Sequence, residues 1–474
     1  MRGVRLNAAA HRPGTRGESN WARSARDALA ATPWSEKAHG ALSRRCSGEV
    51  TVSCEPEYVR RGGDRGTTYG REIMRKLPVL RSILAQRLRA VGSRLPAPAL
   101  AVVVAMFASN SPAATIRVDV GGSADYDTIS EALSAAADGD TVLVMPGVYS
   151  GPDNNGLSFG GKDLVLRSAD GLGTVAIDHY SQFTSVFEIH DDETRDAVID
   201  GFVIDNAWGW LIAPVFRVVG ASPTIRNCRF TGNLSTGGHH TEGACGVGKF
   251  CASSGALIDC WFEDNEAHYA IGALGIYSSS VDVEGCTFIY NRDTWEGIGA
   301  LEIGNCTYSS VTGCVFVDNR GTRSCIRMYD SYMVTVENCT FVDNGGTYYD
   351  EDPHGAIIDV IGPFPLTVSN CLFAFNRIDH VLTGADYITT TRSCVYGNAN
   401  GDSLTGTYDP DDIIWNDPLF CDFASGDYTL CANSPCLPAQ SGFTEVVGAY
   451  GLGCGPCDSP VARSSWGRIK AMFR

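Results

Sequence analysis

Between residues 198 and 400 the chain repeats one short alternation of apolar and polar positions. A β-branched or apolar residue and two further residues precede Cys-x-Phe-x-x-Asn, and the unit returns every 23 to 32 residues. Complete copies are Cys228-Phe230-Asn233, Cys260-Phe262-Asn265, Cys286-Phe288-Asn291, Cys314-Phe316-Asn319, Cys339-Phe341-Asn344 and Cys371-Phe373-Asn376, with degenerate copies at Gly201-Val203-Asn206 and Cys394-Val395-Tyr396. Strand side chains alternate, so Cys and Phe of one copy point the same way. Both residue types favour the interior, so that face lines a core. Short strands at a regular period predict a solenoid whose coils stack about 4.8 Å apart. The Asn falls where the strand must turn; it is expected to take left-handed backbone and to bond its neighbours or the stacked Asn of the next coil.

Counting back 12 or 13 residues from each Cys gives a second strand in every coil. Its inward pairs are Phe216 and Val218, Leu274 and Ile276, Leu301 and Ile303, Ile326 and Met328, and Ile358 and Val360. The outward residue between them is Arg217, Gly275, Glu302, Arg327 and Asp359 in turn, with Lys249 in the equivalent place of the intervening coil. Glu302, Arg327 and Asp359 are thus expected on neighbouring coils. As a catalytic set, Arg327 steadies a sugar carboxylate or abstracts a proton while the carboxylates act as acid and base or hold Ca²⁺. As a solvated charge ladder, each exposed pair adds only about 0–1 kcal/mol to coil stacking.

The loops ahead of these strands carry His268-Tyr269, Trp295-Glu296, Gly237-Gly238-His239-His240-Thr241-Glu242 and Tyr348-Tyr349-Asp350-Glu351-Asp352-Pro353-His354. Aromatic rings beside carboxylates suit sugar faces and hydroxyls, which makes Arg217, His268, Trp295, Tyr349 and His354 candidate substrate contacts. Asp350, Glu351 and Asp352 are candidate Ca²⁺ ligands, although their spacing fits no EF-hand loop.

Charge divides the chain. Residues 1–115 hold 19 Lys and Arg against 8 Asp and Glu, and residues 116–474 hold 18 against 46. The basic stretch from Met74 ends in ten apolar residues, Ala99 to Ala108, too few to span a bilayer and suited to a signal-peptide core. Residues 74–114 are therefore read as a signal peptide cleaved near Ala113 or Ala114, and residues 1–73 as disordered or upstream of the true start. The acidic remainder argues against nucleic acid and against an anionic membrane surface. The expected product is secreted or displayed at the cell surface, without membrane insertion after signal removal.

Of 18 cysteines, seven (Cys228 to Cys394 of the repeat) form a line of expected buried thiols, whereas metal ligands would have to converge. Nine others suit an oxidising compartment, with Cys245 and Cys251 a candidate local pair. Cys454-Gly455-Pro456-Cys457 has thioredoxin-like dithiol spacing, but Asp458-Ser459-Pro460 follows where that chemistry needs a helix, so a structural disulfide or a free pair is expected. Residues 454–474 read as a linker and a basic amphiphilic tail, with Trp466, Ile469, Met472 and Phe473 on one helical face.

Both ends of the repeat region add a resemblance. Tyr126-Asp127-Thr128-Ile129 and Gly139-Asp140-Thr141-Val142-Leu143-Val144-Met145-Pro146-Gly147-Val148-Tyr149 at the start, and Asn416-Asp417-Pro418-Leu419-Phe420, Ser434-Pro435-Cys436 and Val447-Gly448-Ala449-Tyr450 at the close, resemble segments of secreted bacterial β-helix proteins of the pectate-lyase-like superfamily. The resemblance covers about residues 116–453. It implies an all-β, right-handed parallel β-helix over residues 115–453, with a short N-terminal capping helix. Thr128 and Glu131 form that helix's capping box, and Ile129, Ala132, Leu133 and Ala136 its apolar face. It also implies a polysaccharide laid along one sheet, with Glu302, Arg327 and Asp359 as catalytic candidates for lyase or hydrolase chemistry. The chain lacks the Asp-Phe-Ile-Phe-Gly and Gly-Arg-Pro-Trp segments of pectin methylesterases and the Gly-His-Gly of polygalacturonases. A non-catalytic adhesive or surface protein is therefore the alternative.

Overall fold

A computed structural model describes residues 113–457 except 180–182, 211–212, 237–243, 295–296, 346–354 and 385–386. The expected signal peptide and most of the C-terminal tail lie outside the described residues.

The described chain winds as a right-handed parallel β-helix. One coil runs through Phe216–Val219, Thr224–Arg226, Arg229–Thr231 and Leu234–Thr236, and the next through Gly248–Cys251, Ala256–Ile258, Trp261–Glu263 and Glu266–Ala267. Every strand of the coils pairs in parallel with its equivalent one coil away. Four sheets result: an eight-stranded charged sheet from Phe187–Ile189 to His380–Thr383, an eleven-stranded linking sheet from Thr115–Val118 to Ile388–Thr391, an eleven-stranded ladder sheet carrying the Cys-x-Phe units, and a short four-stranded sheet.

Two interior stacks follow from the repeat. The rings of Phe262, Phe288, Phe316, Phe341 and Phe373 lie nearly parallel, with centroids 4.6 to 4.9 Å apart. Beside them the seven repeat thiols are buried and unbonded to one another, each donating to carbonyls such as Leu257 O from Cys286. Burial, reinforced by neighbouring sulfurs, pushes the thiols of Cys228, Cys286 and Cys339 up. They behave as small apolar residues.

The Asn residues form a third stack, fully inside. Asn291 Nδ2 and its backbone N–H both donate to Asn319 Oδ1, and Asn319 repeats this on Asn344. The expectation of left-handed backbone is corrected here. Asn206 of the first, degenerate copy takes it, but in the complete copies it falls on the residue before the Asn, such as Gly232, Asp264, Tyr290 and Asp318, while the Asn side chain turns into the ladder. A second left-handed corner precedes the repeat cysteines at Asn227, Asp259, Gly285, Gly313, Asn338 and Asn370, residue types that adopt it readily.

The N-terminal opening is plugged by α1 (Ile129–Ala135). Thr128 caps it by accepting from Glu131 N, and Ile129, Ala132 and Leu133 are buried beneath it. At the far end, Phe420–Asp422, Asp427–Cys431 and Leu452–Cys454 make a small separate sheet. The adjoining segment lies back across the outer face of the ladder sheet. Ala449 N donates to Thr340 Oγ1, and Leu430, Cys436 and Val447 pack with Leu372 and Ala374. Outward ladder-sheet residues Thr287, Val315, Thr340 and Leu372 are consequently buried.

Two cysteine expectations are corrected. Cys245 and Cys251 form no disulfide and instead pack in an apolar cluster with Ile271 and Tyr277. Cys454 and Cys457 bond neither each other nor stay free: the bridges are Cys421–Cys454 and Cys431–Cys457, which tie the expected linker into the terminal sheet.

Candidate functional site

With the ladder sheet covered, the charged sheet presents the row of interest. Its register runs Glu188, Arg217, Lys249, Gly275, Glu302, Arg327, Asp359 and Thr383, one residue per strand. Glu302, Arg327 and Asp359 therefore stand on three adjacent strands, about 4.8 Å between neighbours. Arg217 lies four strands from Arg327 and pairs with Glu188 at 3.4 Å.

The face is not the solvated ladder that alternation alone suggests. Glu302 is 8% exposed. A second outward row, Val219, Cys251, Tyr277, Gly304, Tyr329 and Ile361, runs beside the first. Its rings fold over neighbouring glycines: a Cβ on Gly275 would meet Tyr277 Cε2 at 2.7 Å, and one on Gly304 would meet Tyr329 Cζ at 2.3 Å. Ala213, Cys245, Cys251, Ile271, Tyr277 and Ile298 close into an apolar cluster outside the solenoid core.

Electrostatics at the centre follow from this cover. Burial pushes the Glu302 carboxyl up, against the lowering by Arg327, by the Tyr277 hydrogen bond and by Arg323. Tyr277 Oη donates to Glu302 Oε1 at 3.1 Å, and burial with the nearby carboxylate pushes that phenol well up. Burial likewise pushes the Cys245 thiol up to about 12. Arg327 Nη1 stands 3.8 Å from Glu302 Oε2, an ion pair outside hydrogen-bonding distance, and Arg327 Nε is buried with no hydrogen-bond partner among the described residues. The guanidinium carbon lies 5.9 Å from the Tyr329 ring centroid. Asp359 Oδ1 accepts from Thr383 Oγ1 at 2.6 Å. The carboxyl held up by burial is suited to giving a proton, and the arginine has donor capacity that its neighbours leave unused.

The other candidates are placed elsewhere. His268 is held by Glu266 at 3.0 Å on the short sheet, in a network with Arg292 and apart from the row. Hydrogen bonds and charge from His268 and Arg292 hold the Glu266 carboxyl below its usual range although burial opposes them. Trp295, Tyr349, His354, Asp350, Glu351 and Asp352 lie outside the described residues. Among the described residues no three carboxylates converge in the manner of a Ca²⁺ site. Tyr277 and Tyr329 were missed, although each is two residues beyond a member of the first row and period two points to them. Tyr308, Tyr332 and Met333 were missed too; they are 51 to 66% exposed at the turn leaving this sheet, Tyr332 edge-on to Phe364.

Strand order and corner chemistry define the class, a right-handed parallel β-helix, and residues 215–373 match the family model described as the right handed beta helix region. No curated protein matches the sequence. Among solved structures, the chain is similar to a PL6 alginate lyase in complex with a trisaccharide (15% identity, 61% of this chain and 61% of that chain, TM-score 0.40). It is also similar to the pectate lyase Pel9A (13%, 72% and 98%, 0.39) and to a rhamnogalacturonan lyase (13%, 62% and 75%, 0.31). The chain thus spans about three fifths of the alginate lyase. No helix among the described residues is long and apolar enough to cross a membrane.

Proposed function

We propose that the chain is exported and recognises an acidic polysaccharide along the outer face of the charged sheet, with Arg327 as the anchor for a sugar carboxylate. One observation carries this reading: Arg327 sits between two carboxylates on adjacent strands yet makes only a 3.8 Å contact to Glu302, and its side chain stays 21% exposed. A bound uronate would pair with that exposed part of the guanidinium. Residues one coil apart offer repeated contacts along an extended polymer, and the exposed Tyr308 and Tyr332 offer faces on which sugar rings stack.

The same groups fit cleavage by elimination. Arg327 neutralises the uronate carboxylate, Asp359 takes the proton from the ring carbon that bears it, the freed electron pair forms a double bond to the next ring carbon, the bond from that carbon to the bridging oxygen breaks, and Glu302 protonates the departing oxygen. No water is consumed. Hydrolysis by the Glu302 and Asp359 pair would instead place a water where Arg327 stands, which makes elimination the better fit.

The test is a screen of the mature chain against uronate-containing polymers, with and without Ca²⁺. Binding is expected, with unsaturated ends that absorb ultraviolet light if elimination occurs and saturated reducing ends if hydrolysis does. Arg327→Ala is expected to weaken binding about tenfold or more, the roughly 1.5–3 kcal/mol of a hydrogen bond to a charged group. Unchanged binding in a folded variant would reject the site. Binding without cleavage would favour the adhesive reading, which the cover over Glu302 also supports.

A further inference from the structure

The terminal sheet gathers four sulfurs that the polysaccharide reading does not use. Cys421 lies on the first strand, Cys431 and Cys454 end the second and third opposite each other, and Cys457 follows one turn later. Cys454 Sγ is bonded to Cys421, yet it also lies 3.7 Å from Cys431 Sγ and 3.9 Å from Cys457 Sγ. The sulfurs of Cys421, Cys431 and Cys454 all fall within 4.8 Å of one another, and the bridge from Cys431 brings in Cys457 as the fourth.

We propose that in the reduced chain these four cysteines are the ligands of a single structural Zn²⁺, and that the two bridges are the oxidised, metal-free form of the same site. Four thiolates about 2.3 Å from zinc stand at tetrahedral corners about 3.8 Å apart. Two of the four non-bonded separations already have that length. Cys454 and Cys457 have the two-residue spacing of structural zinc ligands, here across Gly455-Pro456. The backbone of Cys457 is held independently of its sulfur, its N–H donating to Asn433 Oδ1 and its carbonyl accepting from Asn433 Nδ2. Unlike the repeat thiols, which run in a line, these converge on a point.

The chemistry balances without further groups. A dithiol reductant breaks both bridges and is itself oxidised, two equivalents giving four thiols. Zinc then displaces four protons as the thiolates close around it. In either form the cluster pins the segment that crosses the ladder sheet.

Zinc content of the mature chain settles the matter. Chain treated with a dithiol, supplied with Zn²⁺ and desalted is expected to retain one Zn²⁺, and a Cys421→Ser/Cys457→Ser double variant none. Co²⁺ in the wild type is expected to give the intense thiolate-to-metal absorption of four-sulfur tetrahedral coordination, a reading that does not depend on the variant's folding. Retention of no metal by the reduced wild type, equal retention by the variant, or a Co²⁺ spectrum without that absorption overturns the assignment.

Discussion

Tyr277 donates its hydroxyl to Glu302 Oε1 from the adjacent strand while its ring covers Gly275, so one side chain both buries the carboxyl and bonds it. The two effects oppose each other. Burial raises the carboxyl and the hydrogen bond lowers it, with burial the larger.

A pH dependence of stability follows. Because the folded Glu302 pKa lies above its unfolded value, the folded state holds the proton more tightly. That contribution is fully present below the unfolded pKa and is lost as pH rises through the folded one. Denaturant unfolding across that window should show wild-type stability falling relative to Glu302→Gln. A pH-independent difference between the two would show that Glu302 does not titrate in this way.

Tyr277→Phe removes the bond and keeps the cover. The Glu302 titration should then move further upward, read as a shift of the same stability window to higher pH. No shift would mean that the ring, and not the hydroxyl, sets the carboxyl's state.

Phe316 lies between the rings of Phe288 and Phe341 with no exposed surface. Phe316→Ala should cost about 3–5 kcal/mol in denaturant unfolding, as for other large core truncations. A loss below about 1 kcal/mol would show that the stack relaxes to fill the space.

Asn319→Ala should leave the Asn291 backbone N–H and one N–H of its side-chain amide without acceptors, the other N–H staying on Phe262 O, and should take from Phe288 O its Asn319 donor. Each buried group left unsatisfied costs about 1–3 kcal/mol, so this small polar truncation should rival the loss of Phe316. Equal stability of variant and wild type would remove the ladder's structural role.

Thiol counting separates the two cysteine populations. Twelve described cysteines are buried and in no disulfide, so a native chain of residues 115–474 should resist labelling and, with both bridges closed, release twelve thiols on unfolding. Fast labelling without denaturant would contradict the inward assignment. Sixteen thiols on unfolding with a chelator would instead mark a chain isolated with its zinc.

The repeat by itself determined the solenoid, because a period-two pattern that recurs once per coil leaves one face to bury and one way to stack it. It also determined the order Arg217, Lys249, Gly275, Glu302, Arg327 and Asp359, since register between identical coils copies spacing directly into space. Whether an outward position is wet was decided only by tertiary structure. Alternation says which way Glu302 points but nothing of what comes to lie over it, and Tyr277 and Cys245 arrive there from other strands and loops. The same limit hid the bridges. Cys454 and Cys457 are three residues apart in sequence, yet their partners were chosen by the hairpin that returns Cys421 and Cys431 beside them, a long-range contact that no local spacing encodes.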